Sequence, residues 1–221
     1  MKALVVGGRG ALGSAIVDRF VAEDWIVQTA GRSRESDVVL AADDWPQRIE
    51  GPLDAVVWAQ GLNSTGSIFD AGEDAMLDAF EANVLVIART LRRLLEVGAF
   101  AETARTVILS SIWQVTARQE KLAYVTSKAA LAGLIPSLAA DLADRGIAVN
   151  GVLPGVIDTP MTRSQLDPER IAAVEAATPG GRLATPDSVA RTAVWLAGTS
   201  SDGVNGVSLA VDNGWSAVRH V

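Results

Sequence analysis

Short runs rich in Val, Ile and Leu recur along this chain, apolar at successive positions and not only at every second one, with helix-period segments between them. A strand apolar on both faces has to be covered on both, and strands separated by helices run parallel. The runs fall at 3–6, 25–29, 37–40, 53–58, 106–110, 147–152 and 207–211; the helical patterns fall near 11–24, 73–96, 123–144, 168–177 and 187–197. Together they predict an α/β fold, a single doubly wound Rossmann-type domain over residues 1–221 with a mostly seven-stranded parallel sheet. The stretch 43–51 is short for a crossover helix, so that connection is expected to shrink to a turn or two. Pro136, inside the 123–144 pattern, removes one backbone bond and predicts a bend.

Composition narrows the chemistry. With no cysteine there is no disulfide, thiol nucleophile or thiolate metal site, and the one histidine, His220, is the penultimate residue. Histidine triads and multi-imidazole metal centres are therefore not expected. A net charge of −7 argues against a nucleic-acid partner. No run of eighteen apolar residues and no signal-peptide core is present, so the expectation is a cytoplasmic protein with no membrane partner.

The first strand runs into Gly7-Gly8-Arg9-Gly10-Ala11-Leu12-Gly13, which opens the first helix. Glycines here allow a tight turn and let backbone N–H groups approach a pyrophosphate at a helix N-terminus. An NAD site usually carries a carboxylate at the end of the second strand, but this chain reads Thr29-Ala30-Gly31-Arg32-Ser33 there. Arg32, with Arg9 facing it and Ser33 alongside, would suit a 2′-phosphate, so NADP(H) is favoured over NAD(H); the competing reading is that Arg32 and Arg34 are solvated loop charges.

Tyr124, the sole tyrosine, stands four positions before Lys128, on the same face of a helix. A phenol titrates near 10, and an ammonium about 4 Å away would contribute on the order of 4 kcal/mol, enough to bring it toward roughly 7. Ser111 ends the run at 106–110, at the edge where parallel sheets bind ligands.

With the glycine loop, Ala59-Gln60-Gly61 after the fourth run, Asn83, Ser111, the Tyr124/Lys128 pair, Pro154-Gly155-Val156-Ile157-Asp158-Thr159 and Asp212-Asn213-Gly214, nearly the whole chain resembles the short-chain dehydrogenase/reductase family. The resemblance implies that Tyr124 exchanges a proton with substrate, that Ser111 bonds the carbonyl oxygen, and that Lys128 holds the nicotinamide ribose. Asn83 would keep a water-mediated proton path open behind Lys128, although it could also bond backbone at a helix irregularity. Pro154, Gly155, Ile157 and Thr159 would flank the nicotinamide; Gly7, Arg9, Gly10, Leu12, Gly13, Arg32, Ser33, Ala59, Gln60 and Gly61 would hold the rest of the dinucleotide. Asp43 and Asp44 compete for the adenine.

Trp58 and Gln60 depart from the family pattern, which has asparagine and alanine there. Residues 159–182 correspond to the family's substrate lid, and Met161, Leu166, Ile171, Arg163 and Arg170 within it specify no ligand. Trp113 could wall the pocket or fill core. The expected activity is hydride transfer between a nicotinamide and a small-molecule ketone or secondary alcohol, in a homo-oligomer (dimer or tetramer). The alternative from another class is a catalytically silent NADP(H)-binding sensor. An enoyl reductase on the same fold spaces its tyrosine seven residues from the lysine, unlike this chain.

Overall fold

The computed structural model describes residues 1–218, apart from the side chains of Met161 and Gln165; His220 lies outside the described residues. The apolar runs form β1 (Lys2–Val6), β2 (Ile26–Gly31), β3 (Val38–Val39), β4 (Leu53–Trp58), β5 (Phe100–Leu109), β6 (Ile147–Pro154) and β7 (Ser208–Val211). All pair in parallel in one seven-stranded sheet, ordered β3-β2-β1-β4-β5-β6-β7. The helices are α1 (Ala11–Ala22), α2 (Glu73–Phe80), α3 (Val86–Glu96), α4 (Leu122–Leu142), α5 (Pro160–Gln165), α6 (Pro168–Ala177) and α7 (Pro186–Ala197).

The strand period of two divides each apolar run between two cores. Ala3 and Val5 of β1 join Ile16 and Phe20 of α1 and Val189 and Ala193 of α7 on one face. Leu4 and Val6 join Ile87 and Leu91 of α3 and Leu131 and Ile135 of α4 on the other. By length and mean hydropathy the helix 122–145 could cross a bilayer, but Leu131, Ile135, Ala139 and Leu142 line the core here.

Strand order reverses between β1 and β4, which opens a crevice at their carboxyl ends. The chain there is as tight as a backbone permits. A Cβ on Gly7 (φ +82°) would lie 2.6 Å from the Gln60 nitrogen, and one on Gly13 would lie 2.1 Å from the Gly7 carbonyl oxygen. The glycines therefore keep the β1 and β4 loops in contact while leaving the start of α1 bare.

Several boundaries differ from the sequence expectation. The long helix expected at 73–96 is interrupted by a π segment, Glu81–Leu85, and the 43–51 connection is a 3-10 turn at Trp45–Arg48. β5 begins at Phe100, well before the expected 106, with a register irregularity against β4 between Leu53 and Ala55. β3 shrinks to two residues, yet the Asp37 carboxylate carries the pairing further by accepting from the Thr29 N–H (2.7 Å) and Oγ1 (2.9 Å). The short α5 was not expected; Thr159 caps it, accepting from the Thr162 N–H at 3.1 Å, with Pro160 in its first turn. α4 continues unbroken through Pro136, which lies on its exposed side.

Replacing Gly13 with alanine pushes a methyl into the Gly7 carbonyl, so Gly13→Ala is expected to cost about 1–3 kcal/mol and to open the loop. Urea denaturation and dinucleotide titration check this; unchanged stability with unchanged binding would refute the packing account.

Candidate active site

The site is assembled at the carboxyl ends of β4, β5 and β6. β5 stops at Leu109, and Ser111 then begins a 3-10 turn (Ile112–Gln114), its Oγ accepting from the Trp113 N–H at 3.3 Å. Tyr124 lies in the first turn of α4 and Lys128 one turn later. The Ser111 hydroxyl stands close enough to the Tyr124 phenol to favour its ionised form, so the two hydroxyls face one space. The Lys128 ammonium is buried, donates to the Leu109 carbonyl at 3.0 Å, and lies 5.8 Å from the centroid of the Tyr124 ring.

Electrostatics correct one expectation. The sequence argument has Lys128 pulling the phenol down toward neutrality. Burial instead holds the Tyr124 phenol above its usual 10, the Ser111 bond offsetting part of the rise. The same burial pushes Lys128 down to about 8. Desolvation penalises whichever form is charged, and here it outweighs the attraction assumed at a fixed 4 Å.

Asn83 shows why α2 and α3 are joined by a π segment. An extra residue in the turn brings this fully buried amide out of helical register and into the crevice wall. Its Oδ1 accepts from the Leu62 N–H at 2.8 Å, and its Nδ2 donates to the Leu62 carbonyl (3.0 Å) and to Ser127 Oγ (2.8 Å). Asn83 thus clamps the loop after β4 to the helix that carries Tyr124 and Lys128. The clamp closes around Gly61, where a methyl would lie 3.2 Å from Asn83 Oδ1 and 3.6 Å from Lys128 Nζ.

The remaining expected residues divide between those the crevice gathers and those at its rim. Gly7, Gly10 and Gly13 form the turn into α1, whose N-cap Gly10 offers no side chain to the first helical N–H groups, and Leu12 packs against the core behind it. Ala59 is pinned to β1 through its N–H to the Val6 carbonyl (2.8 Å). Pro154 ends β6, Gly155 has Asp212 where a Cβ would sit (2.6 Å), Ile157 is buried and bridges to Ala184, and Thr159 caps α5.

At the rim, the Arg9 guanidinium donates to the Glu35 carbonyl, which holds it over the loop bearing the exposed Arg32 and Arg34. Ser33 is also exposed, its Oγ accepting from the Glu35 N–H at 3.2 Å. Asp43 lines a cavity of about 310 Å³ at the end of β3 with Leu40, Trp45, Val86 and Arg89, whereas Asp44 pairs with Arg48 at 2.9 Å.

A dinucleotide fits this donor set. The glycine turn is a cradle that side chains would fill, the start of α1 has no side-chain cap, and both amide atoms of Gln60 are buried without a protein partner. Sequence reasoning missed three features. The Trp58 indole, fully buried, donates to Thr90 Oγ1 at 2.7 Å and ties β4 to α3. Ser127 completes the Asn83 clamp. Trp113 meets Trp215 edge to face, its partner lying too far along the chain for spacing to reveal.

Known proteins resemble this chain over nearly its whole length. A family profile described as enoyl-(acyl carrier protein) reductase matches residues 13–216. The chain is 30% identical over 243 residues to 3beta-hydroxysteroid dehydrogenase 1 of Eggerthella lenta, covering 96% of this chain and 92% of that protein. It is 33% identical over 182 residues to cyclopentanol dehydrogenase of Comamonas sp., covering 82% and 70%. Among solved structures, 3-oxoacyl-[acyl-carrier protein] reductase of Brucella melitensis superposes with a TM-score of 0.89 at 25% identity, over 98% of this chain and 91% of that one.

The displaced lysine gives a signed pH dependence. Burial pushes the Lys128 ammonium down to about 8 when folded, against the ordinary lysine value of 10.5 when unfolded, so between those values the unfolded chain binds more protons and stability rises with pH. Relative to Lys128→Met, the wild type should gain about 2 kcal/mol between pH 7.5 and pH 10. Urea unfolding of both proteins at the two pH values measures it, and parallel curves would show that Lys128 is not desolvated.

Proposed function

This chain belongs to the short-chain dehydrogenase/reductase family, and on that premise we propose that it is an NADP(H)-dependent carbonyl reductase or alcohol dehydrogenase. The observation that carries the reading is the shared space between Ser111 and Tyr124, with the Lys128 ammonium buried beneath it. Bound NADP(H) supplies or accepts a hydride at its nicotinamide ring. The chain's own residues do the rest.

Tyr124, held protonated by its burial, gives its hydroxyl proton to the substrate oxygen as a carbonyl is reduced and takes it back in the reverse direction. Ser111 donates a hydrogen bond to the same oxygen and stabilises the charge that develops there. Lys128 spends one N–H on the Leu109 carbonyl, and its remaining N–H groups would hold ribose hydroxyls of the dinucleotide. Asn83 keeps the loop after β4 fixed against α4, so that Tyr124 and Lys128 hold their positions. Gly7, Gly10 and Gly13 would seat the pyrophosphate, Gln60 would offer its amide, which has no partner among the described residues, to the adenosine half, and Pro154 to Thr159 would border the nicotinamide.

The preference for NADP(H) is supported by the exposed Arg32, which follows β2 where a carboxylate would serve NAD(H), and by Arg9, whose guanidinium donates to the Glu35 carbonyl on the same loop. Residues 159–182, which hold α5 and α6, act as the substrate lid. The exposed Leu77, Phe80 and Leu85 on the helices beside α4 support a homo-oligomer. The substrates named for the relatives range from a hydroxysteroid and cyclopentanol to 3-oxoacyl-[acyl-carrier protein], while the four-residue Tyr–Lys spacing favours carbonyl over enoyl reduction.

Tyr124→Phe is expected to lower turnover by about 10²–10⁴ while leaving NADPH binding intact, read at 340 nm against a ketone and quinone panel and by cofactor fluorescence. Tight NADPH binding with no turnover of any panel member by the wild type would instead favour a silent sensor. Arg32→Ala should weaken NADPH about tenfold or more and leave NADH nearly unchanged; equal effects on both would refute the coenzyme assignment.

A further inference from the structure

Two tryptophans at the mouth of the site belong to neither core cluster. Trp113 follows Ser111 on the turn after β5, and Trp215 sits on the turn after β7; both are only partly buried. Their rings meet edge to face, with centroids 5.8 Å apart and planes at 75°. Strand order shows what this contact crosses. β5 and β7 flank β6 in the sheet, about 10 Å apart at the usual strand spacing, so the indole pair bridges the end of β6, where Pro154 and Gly155 leave the sheet.

Both halves of the pair are held in place. The backbone N–H of Trp113 donates to the Ser111 hydroxyl, the one that faces Tyr124. The turn carrying Trp215 is wound on the Asp212 carboxylate, which accepts from the N–H groups of Gly214 and Ser216, each at 2.8 Å. Asp212 in turn packs so closely on Gly155 that no side chain fits between them.

We propose that Trp113 and Trp215 form a recognition wall that selects uncharged ring-bearing ketones, and the matching secondary alcohols, over open-chain ketones and oxo acids. The proposal rests on the reading of Ser111 and Tyr124 as the carbonyl site. A carbonyl oxygen held by those hydroxyls sends its carbon skeleton toward the indole beside Ser111. A ring holds that skeleton compact and rigid, which suits the corner formed by two indoles in contact at 75°. A carboxylate laid against the same apolar surfaces loses its hydration without gaining a partner.

The test compares NADPH oxidation by the full chain with cyclohexanone, α-tetralone, an open-chain octanone and levulinate, in wild type, Trp215→Ala, Trp215→Phe and Trp113→Leu. Ring ketones are expected to show kcat/KM about tenfold above the other two. Trp215→Ala should erase the preference mainly through KM, and Trp215→Phe should restore most of it. NADPH binding, followed by fluorescence, should stay unchanged in every variant. If Trp113→Leu does not fold, the two position-215 variants decide alone. Turnover without ring preference, or a preference that survives Trp215→Ala, overturns the wall and leaves the carbonyl site standing. NADPH binding without turnover of any ketone removes the carbonyl site and the wall with it.

Discussion

A buried ammonium with no carboxylate to balance it is the constraint around which this site is built. Lys128 is 3% exposed, its depressed pKa arises from desolvation, and its ammonium donates to the Leu109 carbonyl. Such a group is costly to keep, and the surrounding structure fixes it from several directions. α4 presents it, the end of β5 accepts from it, and the loop after β4 closes over it because Gly61 has no side chain. The phenol one turn earlier shares the same dry environment. Its shift away from ionisation follows from the burial that displaces the lysine, so the two groups are tuned together by a single cause.

That dry pocket depends on two backbone crowdings that only glycine tolerates. At the switch point the β1 and β4 loops touch, Gly7 against Gln60, and the first turn of α1 is folded back on Gly7 through Gly13. On the opposite side of the crevice the π segment delivers Asn83, whose three bonds tie the β4 loop to α4. Trp58 does comparable work beneath the sheet. The chain buries an indole there and satisfies its single donor with Thr90, which links β4 to α3.

Most of this architecture was legible because it depends on periodicity. Runs apolar at every position and helical spacing between them are enough to specify a parallel sheet covered on both faces, and the Tyr124/Lys128 spacing puts both on one side of a helix. What escaped reading is non-local or depends on burial. A π segment leaves the hydrophobic period nearly intact, and its one local sign was a polar Asn83 in an otherwise apolar stretch. The phenol shift depends on solvent exclusion, which no spacing encodes. Trp113 could be weighed only as wall or filler until Trp215 was found against it. The early start of β5, through the polar Glu102 and Thr103, is set by pairing with neighbours and not by its own residues.

The borrowed rung at Asp37 has a consequence for the two rims of the sheet. β3 ends the sheet on one side with two residues, and the next donor that a foreign strand could seek, the Thr29 N–H, is already occupied by a charged oxygen. A short, charge-sealed rim is a poor template for further pairing. The opposite rim is the four-residue β7, for which no such seal is seen among the described residues. The sheet therefore ends in two unlike rims, one short and closed by a charged oxygen, the other a four-residue strand.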